Sequence, residues 1–234
     1  MTTRRAALAG LFAFPALASA QEAWPARSLR LISPFPPGGA ADVLARNIAE
    51  ELTPALRQSV VVENRTGAGG SVGTEAVVRS AADGYTLLMG STGPLAINPA
   101  LLRLAYDPAK DLVPVAMVST VASVLVVHPS VQARNLTELL AMARAKPGDL
   151  NYGSSGTGSA QHLFMELLKQ MTGVDITHVP YRGTGPAMVD TIGGRLGMMF
   201  DTTPTALPHI QGGRVRAIAV TTARRDPALP DVPT

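Results

Sequence analysis

The chain has 234 residues, 46% hydrophobic, 16% charged and 4% aromatic, with a formal net charge of +3 and no cysteine. That length suits one large domain or two lobes of about 100 residues each, and the apolar content excludes global disorder. The cysteine count excludes disulfide scaffolds, thiolate metal sites and cysteine nucleophiles, while few aromatics and little clustered charge argue against a nucleic-acid partner.

Met1 to Ala20 has a basic start at Arg4-Arg5, an apolar stretch from Ala6 to Leu17 and a small-residue end at Ala18-Ser19-Ala20. This is the layout of a cleavable signal peptide, with cleavage expected before Gln21. The apolar stretch is shorter than the roughly 20 residues that span a bilayer. Export by the general or the twin-arginine route, combined with the lack of cysteine, suits a periplasm.

Beyond the leader, the pattern alternates between strand and helix. Ser28–Ser33 reads as a buried strand ending at a Pro/Gly cluster, and Ala40–Leu52 carries Val43, Leu44, Ile48 and Leu52 at helical spacing. A strand at Val60–Val62, a Gly-rich turn at Asn64–Gly70, a helix at Val72–Ala81 and a strand at Tyr85–Met89 follow. Val113–Val127 is too long for one strand; it reads as two, or as one that leaves one lobe and enters another. Asn135 and Glu138 form a capping box for a helix reaching Ala145. Then come strand Leu150–Gly153, helix Ser159–Met171, strand Ile176–Pro180, helix Pro186–Ile192, and strands Leu196–Phe200 and Arg216–Thr221. Such alternation predicts α/β architecture with parallel-rich, doubly wound sheets.

No phosphate-binding loop, zinc-protease motif or nucleophile elbow is present, and Val72 stands where a dinucleotide fingerprint needs glycine. His128, His162, His178 and His209 lack metal-ligand spacing, so neither metal nor cofactor is expected. What stands out is a set of strand-to-helix turns built from small residues: Pro36–Gly39, Gly90–Gly93, Gly153–Ser159 and Gly183–Pro186. In a parallel α/β sheet these lie beyond the carboxyl ends of the strands, where helix starts offer free N–H groups and the positive dipole end to an anion. The same residues also simply make turns; only the seven small residues of Gly153–Ser159 exceed what a turn needs. Asp42 either supports its helix start or binds a ligand amine, and His162 is either a packing residue or a ligand contact. Tyr181 and Arg182 follow a strand end, within reach of a cleft, and Asp201 ends a strand where it could select a ligand's donor group.

Six segments appear in a familiar order: Pro34–Val43, Glu63–Gly73, Asp83–Leu88, Asn151–Gly156, His178–Gly183 and Leu229–Thr234. Over about Trp24–Thr234 the chain resembles the extracytoplasmic substrate-binding receptors of tripartite tricarboxylate transporters, the Bug receptors. The resemblance implies a two-lobed periplasmic-binding-protein fold of the Venus flytrap type (type II-like), a small organic carboxylate between the lobes, membrane permease subunits as partners, and a monomer. It implies ligand contacts from Phe35, Gly39, Ala40 and Ser91 in lobe one and from Ser155, Thr157, Tyr181 and Asp201 in lobe two. Lobe one is expected at 21–120, lobe two at 121–216 and a return strand at 217–234, with hinges near Ser119–Ser123 and Arg216–Thr221. Members usually run on past the Leu-Pro-Asp-Val-Pro-Thr motif to complete lobe one, so the resemblance also implies either a C-terminally truncated chain, with exposed apolar surface there and poor stability, or a lobe one closed in another way. Ala40 and Ala41 stand where a hydroxyl residue is common. The alternatives are an exported hydrolase-like α/β enzyme, with Ser155 or His162 catalytic, and a receptor feeding a sensor.

Overall fold

A computed structural model describes residues 23–234; the leader lies outside the described residues. Two sheets form. The first has the order β2-β1-β3, from β1 (Leu29–Ser33), β2 (Val60–Asn64) and β3 (Thr86–Leu88), all parallel. The second comprises β4 (Ser123–Val127), β5 (Asn151–Ser154), β6 (Thr177–Pro180), β7 (Met198–Thr202) and β8 (Arg216–Val220), in the order β6-β5-β7-β4-β8. Here β5 runs parallel to β6 and β7, whereas β4 is antiparallel to both β7 and β8.

The helices are α1 (Ala40–Leu56), α2 (Ser71–Val78), α3 (Asn98–Leu101), α4 (Pro108–Asp111), α5 (Leu136–Ala145), α6 (Ala160–Thr172), α7 (Thr184–Ile192) and α8 (Thr203–Gln211). The expected Asn135–Glu138 cap at α5 forms with its return bond displaced by one residue: the Asn135 side chain accepts from Glu138 N at 2.9 Å, and Glu138 Oε2 accepts from the N–H of Arg134, just before the cap, at 2.7 Å. The helix α8 has no helical signature in the sequence, because Pro204 and Pro208 interrupt its pattern. Pro204 sits in its first turn, where no intrahelical N–H is needed.

The central strands of the second sheet, β4 and β7, are buried on both faces, with side chains alternating at period two. Leu125, Val127, Met198 and Phe200 face Leu139, Tyr152, Met165 and Ile176 on one side. Val124, Val126 and Met199 face Met188, Leu196 and Ala206 on the other. The first lobe has a smaller core, made of Leu29, Leu31, Ala45, Ala49, Val60 and Met89. Met165 is fully buried, so Met165→Ala is expected to cost about 2–5 kcal/mol, read as a lower urea midpoint at unchanged m-value.

Of Val113–Val127, only Ser123–Val127 forms a strand. The preceding residues carry no assigned secondary structure, and Val113, Val115 and Met117 are 84–87% exposed. Residues 113–118 pair with no described strand, which is why their β-branched composition alone does not make one. The strand β8 forms an edge of the second sheet; Leu229 and Val232 pack on that lobe, and Val220 N donates to Pro233 O at 2.8 Å.

Candidate ligand site

The turns singled out in the sequence converge on one seam between the two sheets. On the first side lie the β1–α1 loop, the 3-10 turn Ala68–Gly70 before α2, and the turn after β3. On the other lie Gly153–Ser159 before α6, Gly183 before α7 and Asp201–Thr202 before α8. Main chain meets main chain across this seam. A Cβ placed on Gly69 would lie 2.8 Å from Thr157 O, one on Gly156 3.3 Å from Gly69 N, and one on Gly93 3.4 Å from Gly158 O. One on Gly39 would lie 3.6 Å from Thr184 Oγ1. Cβ atoms on Gly158 and Gly183 would be driven into Asn98 Oδ1 and the Pro36 ring. At Gly69, Gly158 and Gly183 only glycine permits such an approach. A separate hollow of about 550 Å³, near Arg134, Arg216 and Asp231, lies on the outer edge of the second lobe, away from these turns.

In the first lobe, Asp42 is committed to holding its own loop. Its Oδ2 accepts from Gly38 N at 3.0 Å and from Arg46 Nε at 3.0 Å; its Oδ1 accepts from Asn64 Nδ2 at 2.8 Å. Burial works to raise its pKa, but the bonds from Arg46, Asn64 and Gly38 prevail and hold the carboxyl below its ordinary value. Asn64 also donates to Phe35 O at 2.9 Å, so it fixes the loop that carries Phe35, Gly39 and Ala40. The half-buried Phe35 ring lies beside Gly70, where an added Cβ would sit 3.1 Å from Phe35 Cζ.

Ser91 Oγ is buried with no hydrogen-bond partner, and so is Ser33 Oγ at the carboxyl end of β1. Asn98 Oδ1 is likewise unpartnered, although its Nδ2 donates to Ser71 Oγ at 2.8 Å. Ser33 and Asn98 were missed in the sequence: Ser33 reads as the end of a strand, and Asn98 sits in a Pro-rich segment without helical periodicity.

In the second lobe, Ser155 is buried and its Oγ donates to Gln161 Oε1 at 2.8 Å. Thr157 is exposed at the loop tip. The Tyr181 hydroxyl does not turn to the seam: it donates to Asp190 Oδ2 at 2.6 Å, and burial followed by Asp190 pushes its pKa up to about 12. What Tyr181 places at the seam is its carbonyl, 3.1 Å from a Cβ built on Gly156. Arg182 is exposed. The Nδ1 of His162 accepts from Gly158 N at 3.3 Å, so no Ser155–His162 pair of a hydrolase forms.

Asp201 is 1% exposed at the end of β7, and its Oδ1 accepts from Thr202 N at 2.8 Å. Burial pushes its pKa up to about 6 against the pull of bonds from Thr205, Thr202 and Thr184. Thr184 is the residue that meets Gly39 across the seam, so Asp201 stands directly behind a contact between the lobes.

The family model described as "Tripartite tricarboxylate transporter family receptor" matches residues 44–234. The chain belongs to this receptor family. Protein BugT of Bordetella pertussis is 43% identical over 99% of this receptor and 73% of its own length. Among solved structures, R. palustris Rpa4515 with adipate superposes at TM-score 0.87 with 41% identity, over 90% of this chain and 71% of that one. MatC from Rhodopseudomonas palustris with bound malate gives 0.86 and 35%, over 90% and 72%. The periplasmic binding protein BugD gives 0.82 and 36%, over 90% and 71%. The receptor thus has the two-lobed periplasmic-binding-protein fold, and its family and structural neighbours are solute-binding receptors rather than enzymes.

Proposed function

We propose that this receptor works in the periplasm as a monomer, holds a small organic dicarboxylate in the seam between its lobes, and hands it to membrane permease subunits. In this reading the signal peptide spans 1–20, lobe one 21–120 and lobe two 121–216, with 217–234 as the return segment and hinges near Ser119–Ser123 and Arg216–Thr221. Ser33, Phe35, Gly39, Ala40 and Ser91 bind from the first lobe, and Ser155, Thr157 and Asp201 from the second. Asp42 and His162 keep the loops in place, and Tyr181 contributes its main chain.

The observation that carries this reading is the pair of unpartnered buried hydroxyls, Ser33 and Ser91, at the carboxyl ends of adjacent parallel strands. A buried polar group without a bond costs about 1–3 kcal/mol, and a charge-assisted bond to a carboxylate would return a similar amount. Backbone N–H groups at facing helix starts add donors without adding a fixed positive charge. Relatives with adipate and with malate support a dicarboxylate as the ligand class.

The test is a thermal-shift screen of C4 to C6 dicarboxylates followed by calorimetry. A ligand present at about 100 times its Kd should stabilise the protein by about 2.7 kcal/mol. Ser91→Ala should weaken that ligand by roughly tenfold, the equivalent of about 1.4 kcal/mol. If no dicarboxylate shifts the melting temperature, or if Ser91→Ala binds as well as the wild type, the assignment falls.

A further inference from the structure

Beneath the loop Gly153–Ser159 lies a stack of three rings, none of which touches the ligand in the reading above. The rings of Tyr152 and His178 stack at 4.8 Å between centroids with planes 21° apart, and those of His178 and His162 at 4.2 Å and 24°. Both imidazoles reach up into the loop. His178 Nε2 lies 2.7 Å from Ser154 Oγ, which in turn accepts from Gly156 N at 3.1 Å. His162 Nδ1 accepts from Gly158 N at 3.3 Å, which requires Nδ1 to be free of a proton.

The two glycines held in this way have φ of +122° and +78°, and their opposite faces form the seam with the first lobe. Gly156 meets Gly69, while Gly158 meets Asn98. The loop is therefore clamped between imidazoles below and the first lobe above.

We infer that His162, stacked on His178, is a positioning residue that holds Gly156–Gly158 against the first lobe only while its Nδ1 is unprotonated, so that acidification slackens this wall and weakens the hold on the ligand. The inference rests on the receptor reading above. A proton on Nδ1 would set one N–H against another and break the bond to Gly158. At 4.2 Å, stacked imidazoles also resist carrying two positive charges.

The ionisable groups facing the pair are few. From α6 come Glu166 and Lys169, and from β5 the Tyr152 phenol; Glu166 Oε1 accepts from Tyr152 at 2.7 Å and from Lys169 Nζ at 2.9 Å. From β6 comes only His178 itself. For His162, burial lowers the pKa first; Glu166 works against this and Lys169 with it. For His178, burial, then His162, brings it down to about 4. The sign follows from these depressed values. The neutral pair supports the loop fully above the ordinary histidine value of 6.5, and the support is lost as pH falls from there toward 4.

The experiment uses the whole chain. In ligand-free protein, amide and imidazole NMR shifts are followed from pH 8 to pH 4.5, and the Gly158 amide should move with the midpoint of the His162 ring. In parallel, calorimetry gives the Kd of adipate and of malate at pH 8 and pH 5.5 for the wild type and for His162→Gln, whose side-chain oxygen accepts from Gly158 without titrating. Taking the variant at the same two pH values cancels the ionisation of the ligand and of Asp201. The wild-type ratio of Kd at pH 5.5 to Kd at pH 8 should exceed that of His162→Gln by about fivefold, equivalent to about 1 kcal/mol. Equal ratios, or a Gly158 amide indifferent to His162, would overturn the inference. If neither acid binds at any pH, the receptor reading fails instead, and the NMR titration alone still decides whether His162 positions the loop.

Discussion

Replacing Gly158 with alanine is expected to weaken dicarboxylate binding by roughly a hundredfold, or about 2.7 kcal/mol, while leaving the second lobe folded. The nearest atoms an added Cβ would meet all belong to Asn98, across the seam. That side chain cannot swing aside freely, because its amide nitrogen is bonded to Ser71 Oγ and Ala68 O. The second lobe by itself bears only the strain of a left-handed alanine at φ +78°, about 1 kcal/mol. The penalty therefore falls on the arrangement in which the lobes touch, and a ligand that depends on both lobes is lost with it. Calorimetry, together with small-angle scattering in saturating dicarboxylate, checks this. Wild-type affinity in Gly158→Ala would mean that the bound state does not use this seam.

Asp201→Asn is expected to raise the melting temperature at pH 8. The folded-state pKa of about 6 lies above the ordinary 3.8, so this carboxyl stabilises the fold fully below 3.8, and that contribution is lost as pH rises through 6. Above pH 6 the ionised group opposes folding by at most about 3 kcal/mol for a two-unit displacement. Asparagine keeps an oxygen for Thr202 N and carries no charge. At about 2–4 °C per kcal/mol for a chain of this size, the gain should reach several degrees at pH 8 and vanish near pH 4. Differential scanning calorimetry at the two pH values reads it. A lower melting temperature at pH 8 would show that the ionised carboxylate is needed by the Thr202 N–H bonded to it.

Much of the molecule could be read from residue types because its local signals agree. The helix α1 begins at Ala40 as expected and runs on to Leu56, past Pro54, since a proline in the last turn sacrifices a single bond. The strands β1, β5 and β7 fall within a residue or two of their apolar runs. Legibility failed where a tertiary partner decides the outcome. Val113–Val118 has strand composition but forms no strand, because no described strand pairs with it. The direction of β4 against its neighbours leaves no mark in Ser-Val-Leu-Val-Val.

At the site, the glycine and serine turns were legible because close backbone approach demands them. The fate of individual side chains was not. Nothing near Tyr181 announces that its hydroxyl is taken by Asp190, nine residues on. Nothing marks Ser33 as unpartnered rather than paired. Nor does the spacing of His162 and His178 reveal that their rings lie face to face.

The joint between the two halves is made largely of peptide groups, which every sequence shares. Mutation can therefore recolour the lining, exchanging one cargo preference for another over a lineage, without redesigning how the jaws meet. The few positions barred from such drift are those where any side chain would act as a wedge: Gly69, Gly158 and Gly183.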